Sequence, residues 1–72
     1  MKIGILGATG AVGRQMLECI EEQNLAVDEL RLFSSPRSAG RVLSFHGEGI
    51  TVQVVAENSF DGLDYVLGAV SN

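Results

Sequence analysis

The chain opens on a short apolar run, KIGIL at residues 2 to 6, which stops at Gly7. Five mainly apolar residues bounded by a glycine suit a strand buried in a parallel sheet. From Ala11 to Gln23 the apolar period lengthens from two to about 3.6 residues. Val12, Met16, Cys19 and Ile20 then fall on one side, with Arg14, Gln15, Glu18, Glu21 and Glu22 on the other. That is an amphipathic helix whose first set should face the core. NLAVDE leads into a second strand, LRLF at 30 to 33, with Asp28 and Glu29 before it. SSPRSAG at 34 to 40 is a polar loop. RVLSF and ITVQVV flank HGEG as the arms of a hairpin with a four-residue loop. Its second arm alternates, with Ile50, Val52 and Val54 on one face and Thr51 and Gln53 on the other. After the loop AENSFDG, the run LDYVLGAV reads as a last buried strand.

The order strand, helix, strand, hairpin, strand predicts an α/β fold, the amino-terminal part of a Rossmann-like doubly wound sheet. A helix between the first two strands implies a crossover connection and a parallel pair. The back half of such a sheet, and a cover for its second face, are expected to lie outside these residues.

The junction between the first strand and the helix, GATGAVG, carries the candidate chemistry. Gly7 permits a tight turn off the strand, Gly10 lets backbone approach a pyrophosphate, and Gly13 lets the helix pack closely. Unpaired N–H groups and the positive end of the helix dipole favour an anion there. Thr9 adds a hydroxyl, and Ala11 and Val12 contribute amides. The spacing is G-x-x-G-x-x-G, a variant of the commoner G-x-G-x-x-G. An NAD-selective site carries a carboxylate about 20 residues beyond the glycines. Here the second strand ends in serines and Arg37, with no carboxylate. A guanidinium beside Ser35 and Ser38 suits the 2′-phosphate of NADP, because it presents forked donors to a dianion.

Composition narrows the partners. Hydrophobic residues make up 46% of the 72, too many for a disordered tail. A net charge of −4 with five basic residues argues against nucleic acid, whose phosphates demand clustered cations. No apolar run approaches the roughly 20 residues that span a bilayer. One cysteine and no export signal fit the cytoplasm. The small core expected at this length points to a piece of a larger protein. Cys19, on the apolar helix face, reads as a buried structural thiol, and His46 as a solvated turn residue. Asp61 and Asp64 border a turn. No catalytic pair or metal-ligand set is present in the sequence.

With both loops placed, GATGAVGRQMLE, LAVDELRLFSSPRSAG and FHGEGITVQ resemble, in order and spacing, the amino-terminal region of aspartate-β-semialdehyde dehydrogenases. The resemblance covers nearly the whole chain, and RSAG after VDELRL is its most specific part. It implies an NADP-dependent enzyme that reversibly converts β-aspartyl phosphate to the semialdehyde, on the route to lysine, threonine and methionine. It further implies a cysteine nucleophile and a histidine acid/base downstream of position 72, so that Cys19 is not the nucleophile and no catalytic residue lies here. Phosphate contacts carry over to Thr9, Gly10, Ala11 and Val12, and 2′-phosphate contacts to Arg37 and Ser38, helped by Ser35. Where many members have serine-alanine-glycine after the fourth strand, this chain has LGAVSN, so Gly68 and Ala69 are left as backbone contacts. The resemblance thus makes residues 1–72 the amino-terminal portion of an NADP-binding domain. The rest of that domain and a catalytic, dimerising domain would be absent, and the chain alone inactive. Two alternatives stay open. N-acetyl-γ-glutamyl-phosphate reductases usually have tyrosine-threonine where Ala11 and Val12 stand. A non-catalytic NADP-binding module would continue through another helix, not a hairpin.

Overall fold

In the computed structural model, which describes residues 1–68, the order of elements is as expected. They are β1 (Lys2–Leu6), α1 (Ala11–Glu22), β2 (Glu29–Ser34), β3 (Val42–Phe45), β4 (Glu48–Val54) and β5 (Tyr65–Gly68). The strands form one mixed sheet in the order β3-β4-β2-β1-β5. Parallel pairing joins β1 to β2, β2 to β4 and β1 to β5, and β3 runs antiparallel to β4. The α1 crossover makes β1 and β2 neighbours, with Leu6 opposite Phe33. Ile3, Ile5, Leu30, Leu32 and Val52 form the first face of the sheet, and Leu17 and Ile20 of α1 close over them.

Several local expectations are corrected. The buried positions of α1 are Gly13, Leu17 and Ile20, while Val12 is 49% exposed and Cys19 is exposed rather than buried. The helix is rotated by about one residue from the predicted stripe, because Gly13 has to lie against the glycine loop. The hairpin has a two-residue turn, not a four-residue loop, since Phe45 pairs with Glu48. His46 and Gly47 both have positive φ, 50° and 82°, as a type I′ turn requires. β2 starts at Glu29, so that carboxylate belongs to the strand. In β4, Val52 is buried as expected but Val54 is exposed. β5 is one of the two edge strands among the described residues, and Tyr65 and Val66 are exposed rather than buried. The last two residues of the predicted final strand, Ala69 and Val70, lie outside the described residues.

The second face is not bare, contrary to expectation. The segment 56 to 64 crosses it, and Phe60 meets Phe33 edge-on with ring centroids 5.4 Å apart. From β2, Arg31 Nη1 donates to the carbonyls of Ser59 at 3.0 Å and Asp61 at 2.8 Å, while its Nε donates to Glu29. Asp64 Oδ2 accepts from the backbone N–H of Lys2 at 2.7 Å, tying the end of the segment to β1. A loop thus takes the place of a second helix.

The hydrogen bond from Arg31, aided by its charge, holds the Glu29 carboxyl below its ordinary range. A depressed carboxylate contributes stability above that range and loses it as pH falls through the lowered value. Glu29→Gln should therefore lower the melting temperature slightly at about pH 7, by an amount that shrinks as pH falls below the ordinary carboxylate range. A difference that persists in acid would remove the ion pair as its cause.

Candidate functional site

The chain passes from β1 outward to β2 and β4, then returns to place β5 on the other side of β1. That reversal puts a topological switch point at the carboxyl end of β1, where open α/β sheets hold their ligands. Leu6 is paired with Phe33 on one side and Gly68 on the other. The glycine loop, the Ser-Arg loop and Gly68 thus emerge side by side along one edge of the sheet. The second backbone candidate there, Ala69, lies outside the described residues.

The glycine loop is built into the sheet. Phe33 O accepts from both Gly7 N, at 2.9 Å, and Ala8 N, at 3.0 Å, clamping the loop to the tip of β2. Ala8 is fully buried in the core, and Gly7 turns the chain with φ of 74°. A Cβ at Gly13 would come within 2.2 Å of Gly7 O and 2.8 Å of Ala8 Cα. Contacts under 3 Å with backbone leave no room for one, so the start of α1 is held against the loop. Gly10 differs. Its φ is −77°, which any residue adopts, and a Cβ there would meet only Gly7 O at an ordinary 3.5 Å. Nothing among the described residues requires glycine at this position, as expected where an external group approaches the backbone.

Gly10 is also the N-cap of α1, and no side chain caps the helix. The N–H groups of Ala11, Val12 and Gly13 precede the first intrahelical donor, Arg14 N, which bonds to Gly10 O at 3.0 Å. No acidic residue stands in that first turn. The end of α1 accordingly presents uncompensated donors and positive dipole at the mouth of the crevice. Thr9 is half-buried, and Gly10, Ala11 and Val12 are exposed.

The loop after β2 is folded back on itself. Ser35 O accepts from Ser38 N at 3.0 Å and Ala39 N at 3.1 Å, and Gly40 N donates to Val52 O at 2.8 Å. Ser35 and Arg37 are exposed and Ser38 is half-buried. Among the described residues the ion pairs are Met1 with Asp28 and Arg31 with Glu29, so the Arg37 guanidinium is uncommitted. Charge is segregated along the strands. Arg14, Arg37 and Arg41 belong to segments at the strand tips, as does Glu57, while Glu18 stands one turn along α1 from Arg14. Asp28, Glu29, Glu48 and Asp64 lie at the strand starts. A molecule with net charge −4 thus gathers unpaired cations where an anion would bind.

The other residues with reactive side chains stand away from this edge. His46 occupies the hairpin turn at the opposite end, its ring edge-on to Phe45 and its backbone N–H donating to the Glu21 carboxylate. Cys19 lines an open apolar groove with Val12, Met16, Ile20 and Leu67. The clamp at Phe33 was not foreseen from sequence, because a carbonyl acceptor leaves no mark on residue type.

Residues 2–72 match the family model described as semialdehyde dehydrogenase, NAD binding domain. The aspartate-semialdehyde dehydrogenase of Aquifex aeolicus is 51% identical over 67 residues, covering 92% of this chain and 20% of that protein. That of Synechocystis sp. is 46% identical over 69 residues, again 20% of its length and 96% of this chain. Aspartate semialdehyde dehydrogenase II from Vibrio cholerae, solved in complex with ASA, superposes with a TM-score of 0.90 at 40% identity. It aligns over 96% of this chain and 22% of its own. The chain therefore spans about a fifth of the length of these relatives.

Proposed function

The chain belongs to the semialdehyde dehydrogenase family through its NAD-binding domain, and from that premise we propose that it holds NADP for an aspartate-semialdehyde dehydrogenase. The matched family supports a nicotinamide dinucleotide, and the 2′-phosphate form is our reading of the Ser-Arg loop. The first-turn amides of α1, with Thr9 and Gly10, bind the diphosphate. Gly7 and Gly13 hold that turn in place. Arg37, Ser35 and Ser38 take the 2′-phosphate. The observation that carries this is the clamp on Phe33 O, which sets the diphosphate loop beside the loop bearing an unpaired guanidinium. When bound, the nicotinamide supplies or accepts the hydride. The role of these residues is to position the dinucleotide, with Gly68, paired to Leu6, as a backbone contact beside the glycine loop.

The parent enzyme, on this reading, interconverts β-aspartyl phosphate and aspartate β-semialdehyde in the cytoplasm as a homo-oligomer. Residues 1–72 form the amino-terminal portion of its NADP-binding domain, and the catalytic groups belong to the remaining four-fifths. The relatives above favour this over the N-acetyl-γ-glutamyl-phosphate reductase alternative. A direct assay supplies semialdehyde, inorganic phosphate and NADP to the full-length protein and to the isolated chain. Reduction of NADP should follow only with the full-length protein. Turnover by residues 1–72 alone would overturn the division of labour, and no turnover by the full-length protein would overturn the activity.

A further inference from the structure

Arg14 occupies an electrostatically poor position. It is the fourth residue of α1, in a first turn without a carboxylate, where a cation meets the positive end of the helix dipole. Glu18 stands one turn along, yet Arg14 is in no ion pair among the described residues. Local rules broken without internal compensation are expected at functional positions.

Its neighbours give the direction. Arg14 lines a groove with Leu17, Glu18 and Glu21 of α1 and with residues 42–44 of β3. Val42 directly follows Arg41, where the Ser-Arg loop ends. Arg14 is therefore on the flank of α1 facing β3, the strand that follows the loop carrying Arg37. The opposite flank, with Val12, Met16 and Cys19, faces Leu67 of β5. A phosphate monoester carries close to two negative charges at neutral pH, and Arg37 supplies one positive charge.

We propose that Arg14 is a further specificity-determining residue, a second guanidinium for the 2′-phosphate that reaches it from the helix while Arg37 reaches it from the loop. The proposal rests on the NADP site described above. Its test uses the full-length enzyme, with 2′,5′-ADP and 5′-AMP as competitors of the cofactor, in wild type, Arg14→Gln and Arg37→Gln. Arg14→Gln should weaken 2′,5′-ADP about tenfold and leave 5′-AMP within about twofold. It should also reduce the salt dependence of 2′,5′-ADP binding. An unchanged affinity for 2′,5′-ADP in Arg14→Gln, with Arg37→Gln still impaired, would refute the role of Arg14 alone. Equal losses for both competitors would move its contact to the 5′-phosphate and refute it too. A wild type that does not distinguish the two competitors, together with an indifferent Arg37→Gln, would refute the 2′-phosphate site itself.

Discussion

Gly13→Ala is expected to destabilise the fold by about 3 kcal/mol and to remove dinucleotide binding. The added methyl would sit 2.2 Å from Gly7 O, 2.8 Å from Ala8 Cα and 2.9 Å from Gly7 C. All three are backbone atoms of a turn fixed by the Phe33 carbonyl and by the burial of Ala8, so no side chain can swing aside. Relief requires α1 to lift from the sheet, which uncovers Leu17 and Ile20 and moves the first-turn amides. Gly10→Ala is the matched control. Its Cβ meets only Gly7 O at 3.5 Å, and an N-cap change of this kind costs less than about 1 kcal/mol. Urea denaturation and dinucleotide titration on both variants should give a folded Gly10→Ala that binds poorly and a Gly13→Ala that loses both properties. Wild-type stability in Gly13→Ala would show that the close contact is not a constraint.

Arg37→Ala is expected to raise the dissociation constant for NADP about 10- to 100-fold and to leave that for NAD within about twofold. Hydrogen bonds to a charged group contribute about 1.5–3 kcal/mol, which sets that range. Arg37 is exposed and in no ion pair among the described residues, so removing it should leave the fold intact. The prediction separates a reader of the 2′-phosphate from a cation that merely solvates a loop, because only the first discriminates the cofactors. Equal effects on both, measured by titration of the full-length protein, would assign Arg37 no part in the choice.

The legible parts of this molecule were those set by local pattern. KIGIL before a glycine loop and a 3.6 period after it sufficed for β1, α1 and their crossover, and motif spacing put the glycine loop at their junction. The helix rotation was not legible, because Gly13 has no apolar side chain to count yet lies tight against the loop that follows β1. The hairpin turn was read too long because His46 in the left-handed region is uncommon for a residue with a side chain. The cover on the second face depended on Arg31 reaching the carbonyls of Ser59 and Asp61, a pairing between distant segments that no local window contains. The burial assumed for LDYVLGAV failed for a related reason, since apolar composition does not say whether a strand has neighbours on both sides.

The proposed site has two anchors for one ligand, the opening amides of α1 for the diphosphate and Arg37 for the ribose phosphate. The most direct measurement is a crystal structure of the full-length protein with NADP bound. The guanidinium of Arg37 should lie about 2.7–2.9 Å from oxygens of the 2′-phosphate, with the N–H groups of Ala11 and Val12 on the diphosphate. A 2′-phosphate in solvent, with Arg37 turned from it, would show that Arg37 does not read the cofactor.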